Sequence, residues 1–506
     1  MTSPIWIGVD IGTQSIRAIA IDDDGHTLGM HSVPLMSHRD GVVHEQRSED
    51  WLDGTYACLS GVTSALARPQ DIRAISVSAT SGTIVVVDEA GTAVTPGIMY
   101  DDSRGTSFAA AANAADPELW DRLGYRAQGS WSLCEMAWLQ TEGYLISGRT
   151  VINQPDVVTW ALAGHPVASD SSHALKAGLD LDSLDWPEAV FSALNIPLAA
   201  LPRIVESGSI IGQVSAAASL LTGVPEGCSI VAGMTDGCAA QIATGALVPG
   251  DWSSVLGTTL VLKGASSTRL RDETGSVYAH RAPFGGGWWP GGASSTGANA
   301  ILNWLPEVDP ADLTFSPTEL REAPVVYPLA GQGERFPFVA PDAHSFSLAG
   351  DFPTVASHGV PTTFASVAKG LAFVERLCFD LLEMTGYDIS GRLFFSGGGA
   401  NNDLWSQLRS DVLGVPVFLP VVKEGAIGMA VLGAAAVQEL SSQSAPSEDP
   451  LSTASARLLG ESRVLRPEAR KAPWLMEQYC ALVTELHHRG WVSDSLFTYA
   501  IERSTR

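Results

Sequence analysis

One aspartate stands where a general base would be wanted. In Val231-Ala232-Gly233-Met234-Thr235-Asp236-Gly237-Cys238-Ala239-Ala240, Asp236 lies between an apolar, strand-like run and a small-residue helix. A carboxylate there can cap the helix, or it can take the proton from a substrate hydroxyl as that oxygen attacks phosphorus. Two other segments suit phosphate. Trp6 to Ile21 is a pair of apolar runs joined by Gly12-Thr13-Gln14-Ser15 and headed by Asp10, and Ser253 to Leu262 repeats the order around Gly257-Thr258-Thr259. Glycine lets backbone N–H groups approach an anion, threonine and serine add hydroxyl donors, and an aspartate at a strand end can hold hydrated Mg²⁺. A single such turn is also an ordinary β-turn. Its recurrence in the same order points to a duplicated fold that grips one nucleotide from two sides.

Three further segments carry polar or aromatic groups. Tyr100-Asp101-Asp102-Ser103-Arg104 offers carboxylates and a guanidinium for sugar hydroxyls or for an internal ion pair, and the ion pair is the commoner use. Phe284-Gly285-Gly286-Gly287-Trp288-Trp289-Pro290-Gly291-Gly292 could line a sugar or adenine pocket, with a hairpin bearing core tryptophans as the safer reading. The strand Arg392 to Phe395 runs into Ser396-Gly397-Gly398-Gly399-Ala400, and Asn401-Asn402-Asp403 opens a helix. That order sets a helix N-terminus where nucleotide groups can meet N–H donors.

The elements that must position these groups are legible from periodicity. Strands are expected at Ile72 to Ser78 and Ile84 to Val87, the latter ended by Asp88-Glu89-Ala90-Gly91, and helices around Trp51 to Leu66 and Leu133 to Leu139. Phe364, Val367, Ala368, Leu371, Val374, Cys378, Leu381 and Leu382 recur at helical spacing, with Gly386 placed to end that helix. Ser441 to Ser455, rich in Ser, Pro and acids, reads as a surface linker, and Trp474 to Leu486 as a helical tail. Strands mixed with helices indicate an α/β fold.

The chain's 506 residues exceed what one core usually serves, so two large domains are expected. A net charge of −25 repels phosphate backbones and anionic membranes, which argues against a nucleic-acid partner while leaving room for one local nucleotide pocket. The six cysteines are scattered without metal-ligand spacing and read as free thiols in a reducing compartment. The N-terminus enters a strand with no signal-like core, and no apolar run is long enough for a bilayer, so a cytoplasmic protein with no membrane association is expected.

At this point the chain resembles the FGGY carbohydrate kinases, within the sugar-kinase/actin/heat-shock ATPase superfamily. The resemblance runs in order through Asp10-Ile11-Gly12-Thr13, Val43-His44-Glu45-Gln46 with Trp51, Tyr100 to Arg104, Met234-Thr235-Asp236-Gly237 and Leu256-Gly257-Thr258-Thr259. It continues through Gly333-Glu334-Arg335, Ser396 to Ala400 and Glu424-Gly425-Ala426-Ile427-Gly428. It implies an α/β fold of two actin-like (ribonuclease H-like) domains with a nucleotide cleft between them. Residues 1–248 would form the N-terminal domain, 249–440 the C-terminal domain, and 441–506 a linker and helical tail. It also implies ATP and Mg²⁺ as cofactors, Asp236 as catalytic base and Asp10 as the metal-associated aspartate. Gly12, Thr13, Gln14, Ser15 and Arg17 match the first phosphate loop, and Gly257, Thr258 and Thr259 the second. Gly398, Gly399 and Asn402 match the adenosine segment. Thr80, Ser81, Asp102, Arg104, Asp236 and Gly237 are the sugar-site candidates, and a homodimer is expected by analogy.

Departures from the pattern bear on substrate. Xylulokinases of bacteria typically carry Met-His where this chain has Thr80-Ser81, and glycerol kinases carry Gln where it has Gly237. The runs Thr80 to Thr83, Tyr327 to Leu329 and Gly333 to Pro337 look more like pentulose kinases, while gluconate kinases share Asp-Gly at the base position. A ketopentose, D-xylulose or D-ribulose, is favoured over gluconate, glycerol or L-ribulose. From other classes, an actin-like or chaperone-type ATPase shares the phosphate loops, and a degenerate sugar-binding regulator would share the fold.

Overall fold

The computed structural model describes residues 3–272, 275–306, 308–309, 311–441, 449–468 and 472–505. The chain forms two compact units. One comprises Met1–Gly245, His280–Trp289 and Val422–Gly460; the other comprises Ala246–Ala279, Pro290–Val421 and Glu461–Arg506. Compactness thus assigns residues 422–440 to the first unit, although they lie inside the stretch 249–440 expected of the second domain.

Alternation of side chains explains that assignment. In the strand Ile5–Ile11, Ile5, Ile7, Val9 and Ile11 are buried in a core with Trp51, Cys58, Leu59 and Val62 of the helix Ser48–Ala65. Trp6, Gly8 and Asp10 belong to the opposite face. There the helix Gly425–Ser441 lies in backbone contact with the strand: a Cβ on Gly8 would stand 1.7 Å from the Ala426 carbonyl oxygen. The same helix meets the helix Asp236–Thr244 at Gly428, where a Cβ would stand 2.0 Å from the Ala239 carbonyl oxygen.

The sheet of the first unit has six strands, in the order Ile210–Gln213, Ser229–Val231, Ile72–Ala79, Ile5–Ile11, Ser15–Asp22, Thr27–Pro34. Ile5–Ile11 runs antiparallel to Ser15–Asp22 and parallel to Ile72–Ala79, which in turn runs parallel to Ser229–Val231. The unit also holds a five-stranded sheet that includes Ile84–Asp88 and Arg149–Asn153 and a short parallel pair, Ser169–Asp170 with Ile204–Val205. In the second unit a seven-stranded sheet is centred on Trp252–Leu256, antiparallel to Leu260–Gly264 and parallel to Leu393–Ser396. The two units therefore repeat one motif: a strand paired antiparallel across a glycine turn and parallel on its other edge.

The helical run Val355–Met384 crosses the second core, broken at Gly359 (φ 77°), and Gly386 (φ 102°) follows its end. The expected tail helix is Ala472–His488, and a second one, Asp494–Ser504, follows it. The expected linker 441–455 is corrected in part. Residues 442–448 lie outside the described residues, but Pro450–Leu458 is a helix with Asp449 as its cap and Leu451, Ala454 and Leu458 buried. Composition misled there, because Asp followed by Pro at the first helical position is a start signal that a Ser/Pro count hides. Of the Phe284–Gly292 segment, Phe284 and Gly285 belong to a short 3-10 turn, Pro283–Gly285, and residues 288–292 to the strand Trp288–Ser294, in which Trp289 is buried and Trp288 half-buried. All six cysteines are unpaired, five of them buried. Among the described residues no helix is long and apolar enough to cross a membrane.

The close packing of the helix Gly425–Ser441 is testable. Gly8→Ala and Gly428→Ala should each cost about 1–3 kcal/mol or more, since backbone atoms must move to admit the methyl. Gly460→Ala, with no atom within 4 Å of the added carbon, should not. Urea midpoints of the three variants decide it; an unshifted midpoint for Gly8→Ala would contradict the contact.

Candidate active site

Strand register gathers the first set of polar residues. Asp10 sits opposite Arg17 on one neighbouring strand and beside Ser78 on the other, and Ser78 Oγ donates to its Oδ1 at 2.7 Å. The Asp10 carboxyl is pushed up to about 6, first by burial and further by the charge of Asp236, against the Ser78 hydrogen bond and Arg17. Asp236 is therefore near enough for its charge to act on Asp10. It occupies the first turn of the helix Asp236–Thr244, is exposed, and accepts from the Gly237 N–H at 2.7 Å. The carboxylate is presented outward while Thr235 behind it is buried.

The turn after Asp10 is closed by the Gly12 N–H donating to the Ser15 carbonyl at 3.0 Å. Its outer carbonyls are held from behind: Thr13 O accepts from Gln46 Nε2 at 2.7 Å and Gln14 O from the Leu35 N–H at 2.8 Å. The Tyr100 phenol is raised by burial and then by Asp101; it is hydrogen-bonded to Thr13 and feels the charge of Asp236. Asp10, the Gly12–Ser15 turn, Tyr100 and Asp236 are thus brought together.

Thr80 and Ser81 join them through the bridge that pairs Ala79 with Thr235. Thr80 is buried, its hydroxyl 2.7 Å from Gln154 Oε1 and 2.6 Å from Thr83 Oγ1. Lys176 Nζ donates to the Ser81 carbonyl at 2.9 Å. Among the described residues, Ser81 Oγ and Gln154 Nε2 are buried with no hydrogen-bond partner. Such groups can meet a ligand hydroxyl or a water.

Asp102 and Arg104 form the internal ion pair. Asp102 is fully buried and accepts from the His44 N–H at 2.9 Å, the Arg104 N–H at 3.0 Å and the Arg104 guanidinium at 2.9 Å. Arg104 also pairs with Glu45 at 2.8 Å and lies over the Trp138 ring at 4.4 Å. Both side chains are used within the protein. Glu135, pushed up to about 7 chiefly by burial and then by Asp102, lies beside them.

In the second unit the Gly257–Thr259 turn and the Gly397–Gly399 segment end neighbouring parallel strands on the same side, with Val255 paired to Ser396. A Cβ on Gly399 would stand 2.6 Å from the Leu256 side chain, so the two segments touch. The strand beneath is pinned by Ser254, whose hydroxyl donates to Glu375 at 2.6 Å and accepts from Arg409 at 2.8 Å; Arg409 and Glu375 are a fully buried pair at 2.6 Å, with the guanidinium over Phe395. Asn402 is spent as a helix cap: its Oδ1 accepts from the Trp405 N–H at 3.0 Å and its Nδ2 donates to the Leu313 carbonyl at 2.8 Å.

Comparison with known proteins accounts for this layout. Residues 5–243 match the N-terminal domain of the FGGY family of carbohydrate kinases, and residues 253–437 match its C-terminal domain. The chain belongs to the FGGY family. It is a carbohydrate kinase built on the two actin-like domains of that family. It is 25% identical over 437 residues to a xylulose kinase of Lactococcus lactis, covering 83% of this chain and 85% of that one. It is 26% identical over 468 residues to a glycerol kinase of Paracidovorax citrulli, covering 86% and 90%. Its fold matches the crystal structure of a ligand-bound xylulose kinase from Lactobacillus acidophilus with a TM-score of 0.81, 19% identity and coverage of 96% and 98%.

Sequence reasoning about this FGGY kinase missed Ser78, Gln154, Lys176 and His173. Gln154 and Lys176 reach the Thr80–Gly82 turn from 74 and 95 residues away along the chain, and no local pattern announces them. Buried His173 has Nδ1 2.8 Å from Asp170 and Nε2 3.2 Å from the Ala79 carbonyl oxygen, so it ties down the strand end that carries Thr80. Both partners are acceptors, which requires a proton on each ring nitrogen. Burial opposes the resulting charge, but Asp170, with Asp156 and the carbonyl, outweighs it and raises the His173 pKa. Asp156, facing Asp170 and His173, is pushed up to about 6 chiefly by burial.

The sign of the pH dependence follows. Both groups bind a proton more tightly folded than unfolded, so their stabilisation is complete at low pH and lost as pH rises through the folded values. The stability advantage of wild type over His173→Gln should therefore shrink as pH rises above about 6.5, where an unperturbed histidine titrates, because the folded value lies higher. Urea unfolding of both proteins over that rise in pH measures it; a difference that grows with pH would contradict a buried imidazolium.

Proposed function

We propose that this kinase transfers the γ-phosphate of ATP to a terminal hydroxyl of a ketopentose, D-xylulose or D-ribulose. The observation that carries the reading is the exposed Asp236 carboxylate next to Asp10 and to the Thr80–Gly82 turn, where buried polar groups await partners. Asp236 takes the proton of the attacking hydroxyl as its oxygen bonds to the γ-phosphorus. The bond from that phosphorus to the bridging β-oxygen breaks, and ADP leaves.

Thr80, Ser81 and Gly237 border the sugar in this reading, with Asp102 and Arg104 framing the site from behind. Gly237 in place of Gln argues against glycerol, and the runs Thr80 to Thr83, Tyr327 to Leu329 and Gly333 to Pro337 support a pentulose, although Thr80-Ser81 departs from the Met-His of bacterial xylulokinases. In this reading backbone N–H groups of Thr13–Ser15, with Arg17, and those of Thr258 and Thr259 serve phosphate oxygens, the Gly12 and Gly257 N–H groups closing their own turns; Gly398 and Gly399 serve the adenosine, with Asn402 fixing the helix behind them. Mg²⁺ fits the residues present: Asp10, hydrogen-bonded to Ser78 and burdened by the neighbouring Asp236, is a hard oxygen donor in a locally negative setting. Bound there with ATP, it supplies neutralisation of phosphate charge.

The test is ADP production with Mg-ATP alone and with D-xylulose, D-ribulose, L-ribulose, glycerol or gluconate. A rate that depends on one ketopentose is expected. ADP release indifferent to every sugar would move the protein to the ATPase class. Asp236→Ala should lower kcat by about a hundredfold or more, the usual scale for a general base, with the circular dichroism spectrum unchanged.

A further inference from the structure

One buried carboxylate in the second unit has no part in the chemistry above, yet three of the five groups bonded to it belong to the segment beneath the Gly257–Thr259 turn. Glu334 is buried, and its backbone exchanges two hydrogen bonds with Ala340, each of 2.9 Å. Its Oε1 accepts from the N–H groups of Ser295 at 2.6 Å and Arg335 at 2.9 Å. Its Oε2 accepts from the hydroxyls of Ser294 at 2.9 Å, Thr296 at 2.7 Å and Tyr327 at 2.8 Å. The Ser294 hydroxyl in turn accepts from the Thr296 N–H at 3.0 Å. A carboxylate offers about four acceptor positions, so this one is saturated, and three of its five bonds go to the consecutive residues 294–296.

That segment is the bed of the Gly257–Thr259 turn. Thr296 O accepts from the Leu260 N–H at 3.2 Å, the Ala298 N–H donates to Gly257 O at 2.8 Å, and the Asn299 N–H donates to Thr258 O at 3.3 Å. Gly297 lets the two backbones touch, since a Cβ there would stand 2.4 Å from Thr258 O. In a planar trans peptide the N–H points opposite to the preceding C=O. With the carbonyls of Gly257 and Thr258 turned onto the bed, the N–H groups of Thr258 and Thr259 are aimed the other way, as a phosphate site requires.

We propose that Glu334 is a positioning residue for nucleotide binding: by locking residues 294–296 it fixes the direction of the Thr258 and Thr259 amides. The inference rests on the reading of Gly257–Thr259 as a phosphate turn. It assigns to Glu334 an effect on nucleotide affinity that leaves sugar affinity alone.

Two single-atom-scale deletions at the same oxygen separate positioning from mere stability. Thr296→Val and Tyr327→Phe each remove one hydroxyl from Oε2, but only Thr296 belongs to the bed. Binding of Mg-ADP to the full chain is measured by calorimetry, with thermal midpoints and, once the sugar is known, both KM values. Thr296→Val should weaken Mg-ADP about tenfold, the worth of one hydrogen bond to a charged group, and raise KM for Mg-ATP in step. Tyr327→Phe should lower the thermal midpoint with Mg-ADP affinity within about twofold of wild type on the same scale. Glu334→Gln should exceed Thr296→Val in its effect on Mg-ADP and leave the sugar KM unmoved. Equal Mg-ADP affinity in wild type, Thr296→Val and Glu334→Gln would overturn the proposal, as would equal losses from Thr296→Val and Tyr327→Phe. A wild-type chain that binds Mg-ADP but phosphorylates no ketopentose would sink the proposed substrate while the affinity comparison still decides the role of Glu334. A wild-type chain that binds no Mg-ADP would overturn both.

Discussion

The first unit depends on backbone touching backbone along the helix Gly425–Ser441. The strand bearing Asp10 admits this helix only because residue 8 has no side chain, and the helix bearing Asp236 admits it only because residue 428 has none. The helix comes from far along the chain, yet it fixes the strand of one carboxylate and the helix of the other, and its first residue, Gly425, lies against the Asp10 carboxyl, 3.3 Å from a Cβ that is absent. Dense packing of this kind deforms in steps rather than continuously. The separation of Asp10 and Asp236 is therefore set by hard contact and not by the two side chains themselves, which as like charges would drift apart.

This dependence marks what the sequence could disclose. The two strand–turn–strand segments, the helices at Ser48–Ala65 and Ser132–Thr141, and the strand–glycine–helix order at Leu393–Leu413 follow from periods of two and 3.6 and from punctuating glycines. Asp236 and Asp10 were legible because each sits at the end of such an element. Gln154, Lys176 and His173 were not, since their meaning arises only when elements distant in sequence close around the Thr80–Gly82 turn. The assignment of residues 422–440 to the first unit was hidden for the same reason: Glu424-Gly425-Ala426-Ile427-Gly428 stood out in the sequence only as a family motif, and neither its helix nor the surface it lands on follows from its residues. Asn402 shows the converse. Its position as a helix cap is visible in sequence, and that role consumes the side chain.

The recurrence of one turn in both units extends beyond its residue types. In the first unit the carbonyls of Thr13 and Gln14 are taken by Gln46 and Leu35; in the second, those of Gly257 and Thr258 are taken by Ala298 and Asn299. The donors differ in kind, a side-chain amide in one case and backbone throughout the other, but each pair engages two successive carbonyls. Peptide planarity converts that into two successive amides facing the opposite way. The duplicated feature is thus an orientation of dipoles, held by unrelated scaffolding in each copy.

That orientation answers a problem set by composition. A chain with a net charge of −25 repels a polyanion at long range, and lysine or arginine clusters are the usual remedy. Oriented amides are another: they present fixed partial positive charge at short range, cost no side-chain ordering, and leave the net charge unchanged. Their strength depends on being held, because a turn free to rotate its peptides would average the dipoles away. The buried polar groups behind the turns, Gln46 in one unit and Glu334 with Ser294 and Thr296 in the other, are where that holding is done, and their burial keeps water from competing for the same carbonyls and hydroxyls.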